Sequence, residues 1–254
     1  FLTLINYRNK TKFIIVETIV IQTILISIII CFLIISIVRK SNQIKKDKEL
    51  IKSVTSLNRG TSSERELILG LLKNGIPKET IFHDLMIKKN NNKFSQIDMV
   101  IPTKEGIIVF EVKEYSGWIF GSGNNRNWTQ ILAYGEKKYK FYNPIKQNNT
   151  HITELKKTLK QFQKVPFFSI IVFFGDCELK EINYVPNGTY IVKAQRIFEV
   201  LNLIKTENEP TSYSNKREVV DMLKKLVSLG ENVGYQEQHI ENIKNMIGKE
   251  RIFK

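Results

Sequence analysis

The stretch QIDMVIPTKEGIIVFEVK, Gln96 to Lys113, reads as two apolar strands around a tight turn in TKEG. Charged residues interrupt it: Asp98 in the first strand, Glu111 and Lys113 in the second. Residues two apart on a strand face the same way, so Glu111 and Lys113 share a face. A loop at Lys104-Glu105 pairs Asp98 with Glu111, and a loop at Glu105-Gly106 pairs Asp98 with Lys113. Either two-residue loop puts all three on one face, with opposed Cβ atoms ~5 Å apart. A three-residue loop with a bulge would weaken that geometry.

Two carboxylates on one sheet face repel each other and are costly to bury. A divalent cation offsets both penalties, and one or two carboxylate oxygens suit Mg²⁺. Such an ion polarises a phosphoryl oxygen and activates water, while a nearby lysine orients that water or stabilises developing charge. Phosphodiester hydrolysis needs these parts. Glu-x-Lys also occurs at Glu136-Lys138, Glu154-Lys156 and Glu178-Lys180. The first two lie in polar or helical stretches, where a solvated ion pair is the simpler reading. The third follows an apolar strand, near Asp176, and reads as a loop. Only Glu111-Lys113 has an aspartate upstream across a hairpin. The structural alternative for it is an edge-strand surface pair, with Asp98 as a cap.

Working outward, Ile19 to Val38 is an uncharged run of the length needed to cross a bilayer. It is too long for a signal-peptide core, and no small-residue cleavage pattern follows. Arg8, Lys10 and Lys12 precede it, and the larger basic cluster Arg39, Lys40, Lys45, Lys46 and Lys48 follows. The excess of cations on the second side places the rest of the chain in the cytoplasm. The chain of 254 residues carries a net charge of +14, which favours a polyanionic partner, nucleic acid or an anionic membrane surface. Two unpaired cysteines, Cys31 and Cys177, exclude a disulfide scaffold, and no Cys/His cluster provides a zinc site. His83, His151 and His239 are scattered and read as structural or surface residues. No Walker loop, dinucleotide fingerprint or Gly-x-Ser-x-Gly elbow is present.

The chain is expected to divide into an N-terminal flank (1–12), a transmembrane helix (13–38), a basic juxtamembrane linker (39–58), an α/β domain (59–205) and a linker with a small helical tail (206–254). In the α/β domain, GTSSERELILGLL reads as a capped helix. TIFHDLMI, QIDMVIP, GIIVFEVK and GWIFG follow as strands, with a turn at Asn90 to Asn92. HITELKKTLKQFQ is an amphipathic helix, FFSIIVFFG a strand buried on both faces, GTYIVKA a further strand and AQRIFEVLNLI a short helix. GSGNNRNW reads as a mobile loop, and the aromatic residues from Trp118 to Tyr142, interleaved with lysines, as core packing or base contacts. Lys216 to Leu229 and Gln236 to Met246 read as two tail helices.

The segments GTSSERELILGLL, FHDL, QIDMVI, GIIVFEVKEYSGWIFG, NWTQ and FYNPIKQNNTHITELKK, in this order, resemble the NERD (nuclease-related) domain of the PD-(D/E)xK superfamily. The resemblance implies a restriction-endonuclease-like core, a central mixed sheet between helices, and a nuclease using Mg²⁺ (or Mn²⁺) on DNA. It maps Asp98, Glu111 and Lys113 onto the core motif and Glu64 onto the helix acid, with Asp98, Glu111 and Glu64 as metal ligands. Glu66 competes with Glu64, but the two point about 200° apart on a helix. The family usually has Gly before the helix acid, where this chain has Ser63. Gln147 matches a family glutamine, and Gln96 and Gln130 are polar neighbours of the motif. The expectation is a single-pass protein of a bacterial cell membrane with a cytoplasmic nuclease domain. The alternatives are a non-catalytic nucleic-acid-binding module and a membrane-anchored interaction scaffold.

Overall fold

The computed structural model describes residues 2–88, 94–132, 135–162, 164–211, 213 and 216–231, and only the backbone of residues 2–21, 161 and 216. The turn at Asn90 to Asn92, Tyr134, His239 and the second tail helix fall outside them. The chain forms two units, Phe1–Leu50 and Ile51–Lys254.

The first unit lies within helix α1, Leu2–Lys52, whose 51 residues take in the apolar run and most of the basic linker. At ~1.5 Å per residue it is roughly 77 Å long, against about 30 Å of bilayer hydrocarbon. It is the one helix among the described residues long and apolar enough to cross a membrane, and none of its most apolar window is buried. Ile24 to Val38 are exposed, unlike the stripe a soluble core helix hides.

The second unit is an α/β fold. Helix α2 (Ser62–Lys73) starts with a capping box in which Thr61 and Glu64 bond each other's backbone N–H, and it buries Leu67, Ile68 and Leu71. Strands β1 (Phe82–Lys88), β2 (Phe94–Pro102) and β3 (Ile107–Glu114) form an antiparallel meander. After them come β4 (Gly117–Ser122), β5 (Asn127–Leu132), β6 (Lys137–Tyr142), α3 (Pro144–Thr158), β7 (Phe167–Phe174), β8 (Cys177–Asn183), β9 (Thr189–Lys193), α4 (Ile197–Glu207) and α5 (Lys216–Gly230).

The central sheet is mixed, in order β1-β2-β3-β7-β9, with β3, β7 and β9 parallel. Helices α2 and α4 cover one face, packing Leu67, Leu71, Val200 and Ile204 on Met99, Ile108, Phe110 and Val172. Helices α3 and α5 cover the other, with Ile152, Leu155, Val219, Leu223 and Leu226 on Leu85, Ile97, Val100 and Val109. This is the expected mixed sheet between helices. The core extends into the segment expected as a tail: Val219, Leu223 and Leu226 of α5 recur at helical spacing, and burying each is worth about 1.5–3 kcal/mol.

A second sheet, β6-β5-β4-β8, corrects two local expectations and gives a third segment its place. GSGNNRNW is not a loose loop but the end of β4, a turn and the start of β5, with Trp128 buried and its indole N–H bonded to the Ser122 carbonyl. The aromatic and lysine residues from 137 to 142 form the edge strand β6. The segment around Glu178-Lys180 is not a loop but β8, parallel to β4, with both charges at the surface. Helix α3 begins earlier than expected, because Asn143 caps it and Pro144 occupies its first turn.

Candidate active site

The turn between β2 and β3 sets the register of the opening stretch. Thr103 N–H donates to the Gly106 carbonyl at 2.7 Å, and the N–H groups of Glu105 and Gly106 donate to Thr103 Oγ1. Gly106 is required because a Cβ there would stand 2.5 Å from the Pro166 carbonyl oxygen. Pro102 then pairs with Ile107 and Met99 with Phe110, the register of the Lys104-Glu105 loop.

Paired residues stop at Met99 and Phe110, one position short of Asp98 and Glu111. There the Asp98 side chain replaces the ladder, and its Oδ2 accepts the Val112 N–H at 2.7 Å. Side-chain alternation breaks at the same level. Ile97 and Val100 enter the same core cluster, as do Phe82 and Leu85 on β1, where Asp84 has φ of +58°. The kink frees one oxygen of Asp98 from hydrogen bonding and places its carboxylate beside Glu111, Lys113 and Glu64, all of whose charges act on it.

Glu111 is 1% exposed. Its Oε1 stands 2.5 Å from Lys113 Nζ, while its Oε2 has no hydrogen-bond partner among the described residues. His151 Nε2 stands 3.3 Å from that oxygen, within ion-pair distance, and it too makes no hydrogen bond among the described residues. His151 is held from behind by Ser95 Oγ, 3.0 Å from its Nδ1. Lys113 also donates to Gln147 Oε1 at 3.1 Å. One residue on, Asn148 donates to the Val109 carbonyl and to Ser169 Oγ, both at 2.9 Å, which fixes α3 against β3 and β7.

Glu64 approaches from α2. It is 5% exposed, whereas Glu66 points to solvent, so the helix offers Glu64 to the sheet. Its Oε1 accepts from the N–H and hydroxyl of Thr61, and its Oε2 lies 2.9 Å from His83 Nε2. His83 Nδ1 in turn meets Thr55 Oγ1 at 2.9 Å. Gly60 allows this packing: a Cβ there would lie 2.4 Å from Glu64 Oε2 and 2.5 Å from His83 Nε2. Ser63 bridges α2 to the end of β3, its hydroxyl donating to Glu114 Oε2 at 2.6 Å.

The electrostatics separate the acids. Burial pushes the Asp98 carboxyl up, and the negative charges of Glu111 and Glu64 push it further. Lys113 and the Val112 N–H oppose this without cancelling it, so Asp98 lies well above the ordinary aspartate range. Part of Asp98 reaches solvent, but the atoms packed around its carboxylate strip most of its hydration. Burial also raises Glu111, yet the charge of Lys113 and the neighbouring His151 outweigh it and hold Glu111 below the usual glutamate value. Burial raises Glu64 too, and His83 and Thr61 more than offset it. Burial lowers Lys113, but the charges of Glu111 and Asp98 raise it above the ordinary lysine value, so it stays an ammonium ion.

The fold therefore gathers Glu64, Asp98, Glu111, Lys113 and Gln147. It does not bring Gln96 and Gln130 to them by any direct bond. Gln96 donates to Asp84 Oδ1 at 2.6 Å, within a network in which Arg59 Nε holds Asp84 Oδ2 at 2.8 Å. Gln130 donates to the Ser116 carbonyl. His83 and His151 are the residues whose place at the site was not foreseen. The available signals were FHDL directly before the motif strand, and the four-residue spacing that puts His151 on the same face of α3 as Gln147.

Residues 59–174 match the family described as nuclease-related domain, NERD. This segment is a nuclease-related domain. It takes in all five gathered residues and ends with β7, so β8, β9, α4 and α5 lie beyond the match. Its mixed sheet between helices is consistent with the PD-(D/E)xK superfamily. An uncharacterised protein of Bacillus anthracis is 32% identical over 126 residues, 49% of this chain and 57% of that protein. The chain thus spans a little over half the length of that relative. No solved structure matches the chain.

Proposed function

We propose that the nuclease-related domain is a metal-dependent nuclease that hydrolyses phosphodiester bonds of DNA. The observation that carries the reading is the pair of carboxylates Asp98 and Glu111, each with an oxygen free of hydrogen bonds among the described residues, beside a protonated Lys113. No three of His, Cys, Asp or Glu form a ready-made cage among the described residues. A Mg²⁺ or Mn²⁺ ion here would rest on two carboxylates and several waters. Asp98 and Glu111 would hold the ion. Glu64, with Oε1 doubly engaged, would add negative charge more than a ligand oxygen. Bound there, the cation supplies Lewis acidity and a water of lowered pKa.

The chain's own residues do the rest. Lys113, aimed by Glu111 Oε1 and Gln147 Oε1, presents fixed positive charge where charge develops on the phosphate. Its raised pKa makes it an orienting and stabilising group rather than a proton acceptor. Asp98 holds the β3 backbone at Val112, which fixes the orientation of Glu111 and Lys113 on either side. The net charge of +14 supports salt-sensitive binding of a phosphate backbone. Helix α1 would anchor the chain in a bacterial cell membrane, with the larger basic cluster keeping the domain in the cytoplasm.

The test is supercoiled plasmid incubated with the detergent-solubilised full chain, with Mg²⁺ or EDTA, alongside Lys113→Ala and Glu111→Ala. Nicking that needs Mg²⁺ and is lost in both variants is expected. Cleavage that survives either substitution would move the chemistry elsewhere. A gel shift without cleavage by any form would leave a nucleic-acid-binding module.

A further inference from the structure

We propose that Tyr115, Phe141 and Tyr139 form a stacking row that leads a single strand of nucleic acid away from Lys113, with Lys137 on the same face of β6 holding its phosphates. The inference deepens the nuclease reading and rests on it for the direction of the strand.

The row is built from two sheets. β6 is the edge of the second sheet, and its sequence KKYKFY alternates side chains between faces. Lys137, Tyr139 and Phe141 share one face, opposite Leu132, Gln130 and Trp128 of β5. At the inner end Phe141 stacks on Tyr115, with ring centroids 4.4 Å apart and planes 30° apart, and meets Trp128 edge-on at 6.2 Å. Gln130 fastens this face to the segment after β3 through the Ser116 carbonyl at 2.8 Å. Tyr115 is two residues beyond Lys113 and within reach of its charge.

The outer end is open. Tyr139 is 43% exposed and has no hydrogen bond or ring partner among the described residues. Lys137, Lys138 and Lys140 are all exposed. Lysines on an edge strand guard against unwanted strand pairing, which explains them without a ligand. It does not explain an exposed tyrosine among them, on the face that runs inward to Tyr115. Stacked bases in a duplex hide their faces, whereas a single strand presents them to aromatic rings while cations track its backbone.

Anisotropy titrations of the detergent-solubilised full chain in EDTA test this, using a fluorescein-labelled oligo-dT and a blunt duplex of equal length. Tyr139→Ala is expected to weaken single-strand binding roughly ten-fold and duplex binding less than two-fold, and Tyr139→Phe to bind as wild type. Lys137→Ala should flatten the salt dependence of single-strand binding by a slope of ~0.7. Equal losses on both probes, no loss in Tyr139→Ala, or a wild type that does not bind oligo-dT would each overturn the row. Binding is read without metal, so the two ideas fail separately. Tyr139-dependent binding with an uncleaved plasmid sinks the nuclease reading alone, and cleavage with Tyr139-independent binding sinks the row alone.

Discussion

His83 and His151 each stand against a buried glutamate, one paired with α2 and the other on α3, and the two pairs are finished differently. Around Glu64 both carboxylate oxygens are engaged, and both nitrogens of His83 have partners at 2.9 Å. Around Glu111 the corresponding Oε2 and His151 Nε2 face each other at 3.3 Å with no bond made. A buried polar atom without a partner costs about 1–3 kcal/mol. The saturated pair has the form of a structural tie that seats the helix. The unsaturated pair has the form of a site that retains binding capacity. Under the proposed nuclease reading, the difference would give separate duties to two acids that sequence resemblance puts in one ligand set.

The largest expected effect breaks the unsaturated pair. Glu111→Gln should cut plasmid nicking by roughly 10²–10³-fold, the usual loss when one organised electrostatic group is removed, with the far-ultraviolet circular dichroism unchanged. The same variant should lose any rise in melting temperature that Mn²⁺ gives the wild type, since a ligand stabilises only the state that binds it. A variant that keeps the metal-induced rise would show that Glu111 is not a ligand.

The next effect compares the histidines directly. His83→Ala strips a made bond from Glu64 Oε2 and another from Thr55, and should cost about 1–3 kcal/mol in urea unfolding. His151→Ala loses the Ser95 contact and the 3.3 Å approach to Glu111 but strips no made hydrogen bond from the glutamate, so its cost should be smaller, while nicking falls more than in His83→Ala. The reverse order in stability would cancel the distinction.

A third expectation uses the opposite pKa directions of the two motif acids. Asp98 is raised in the folded state, so its contribution is fully present below the unfolded value of about 3.9 and is lost as pH rises through the folded value. Asp98→Asn, whose side-chain oxygen can keep the Val112 bond, should melt near wild type in acid and above it at neutral pH without metal. Glu111 is lowered, so its stability is present above about 4.3 and is lost as pH falls through the folded value. Glu111→Gln should therefore lag the wild type at neutral pH and converge with it in acid. Parallel curves for both variants would contradict the directions.

The hairpin and the common face of Glu111 and Lys113 were legible because two-residue alternation is a local rule, whereas Asp98 joins them through a break in that alternation which the rule does not foresee. The choice of register was not, since both short loops satisfied it. The turn made by Thr103 Oγ1 and the contact of Gly106 with Pro166 decide it, and Pro166 is far along the chain. The start of α3 was legible in principle, as Asn143-Pro144 is a cap followed by a first-turn proline, but the amphipathic pattern further on drew the boundary later. The second sheet was hidden because β5 and β6 are short and half polar, so their alternation resembles a lysine-rich loop. The histidines could not be placed, because their partners Thr55, Glu64, Ser95 and Glu111 lie 19 to 56 residues away.

The smallest effect concerns the two glutamates of α2, which sequence alone could not separate. Their side chains point about 200° apart, so burial of one requires exposure of the other. Glu64 is buried in the capping box and against His83, whereas Glu66 is exposed. Glu66→Ala should therefore change stability by no more than about 0.5 kcal/mol and leave nicking at the wild-type rate. Thr61→Ala, which removes the cap while leaving the Glu64 carboxylate in place, should cost about 1 kcal/mol. If Glu66→Ala reduces nicking as far as Glu64→Ala does, the effect of α2 on the site runs through the net charge of the helix end. A loss confined to Glu64→Ala instead ties it to the particular carboxylate that His83 holds.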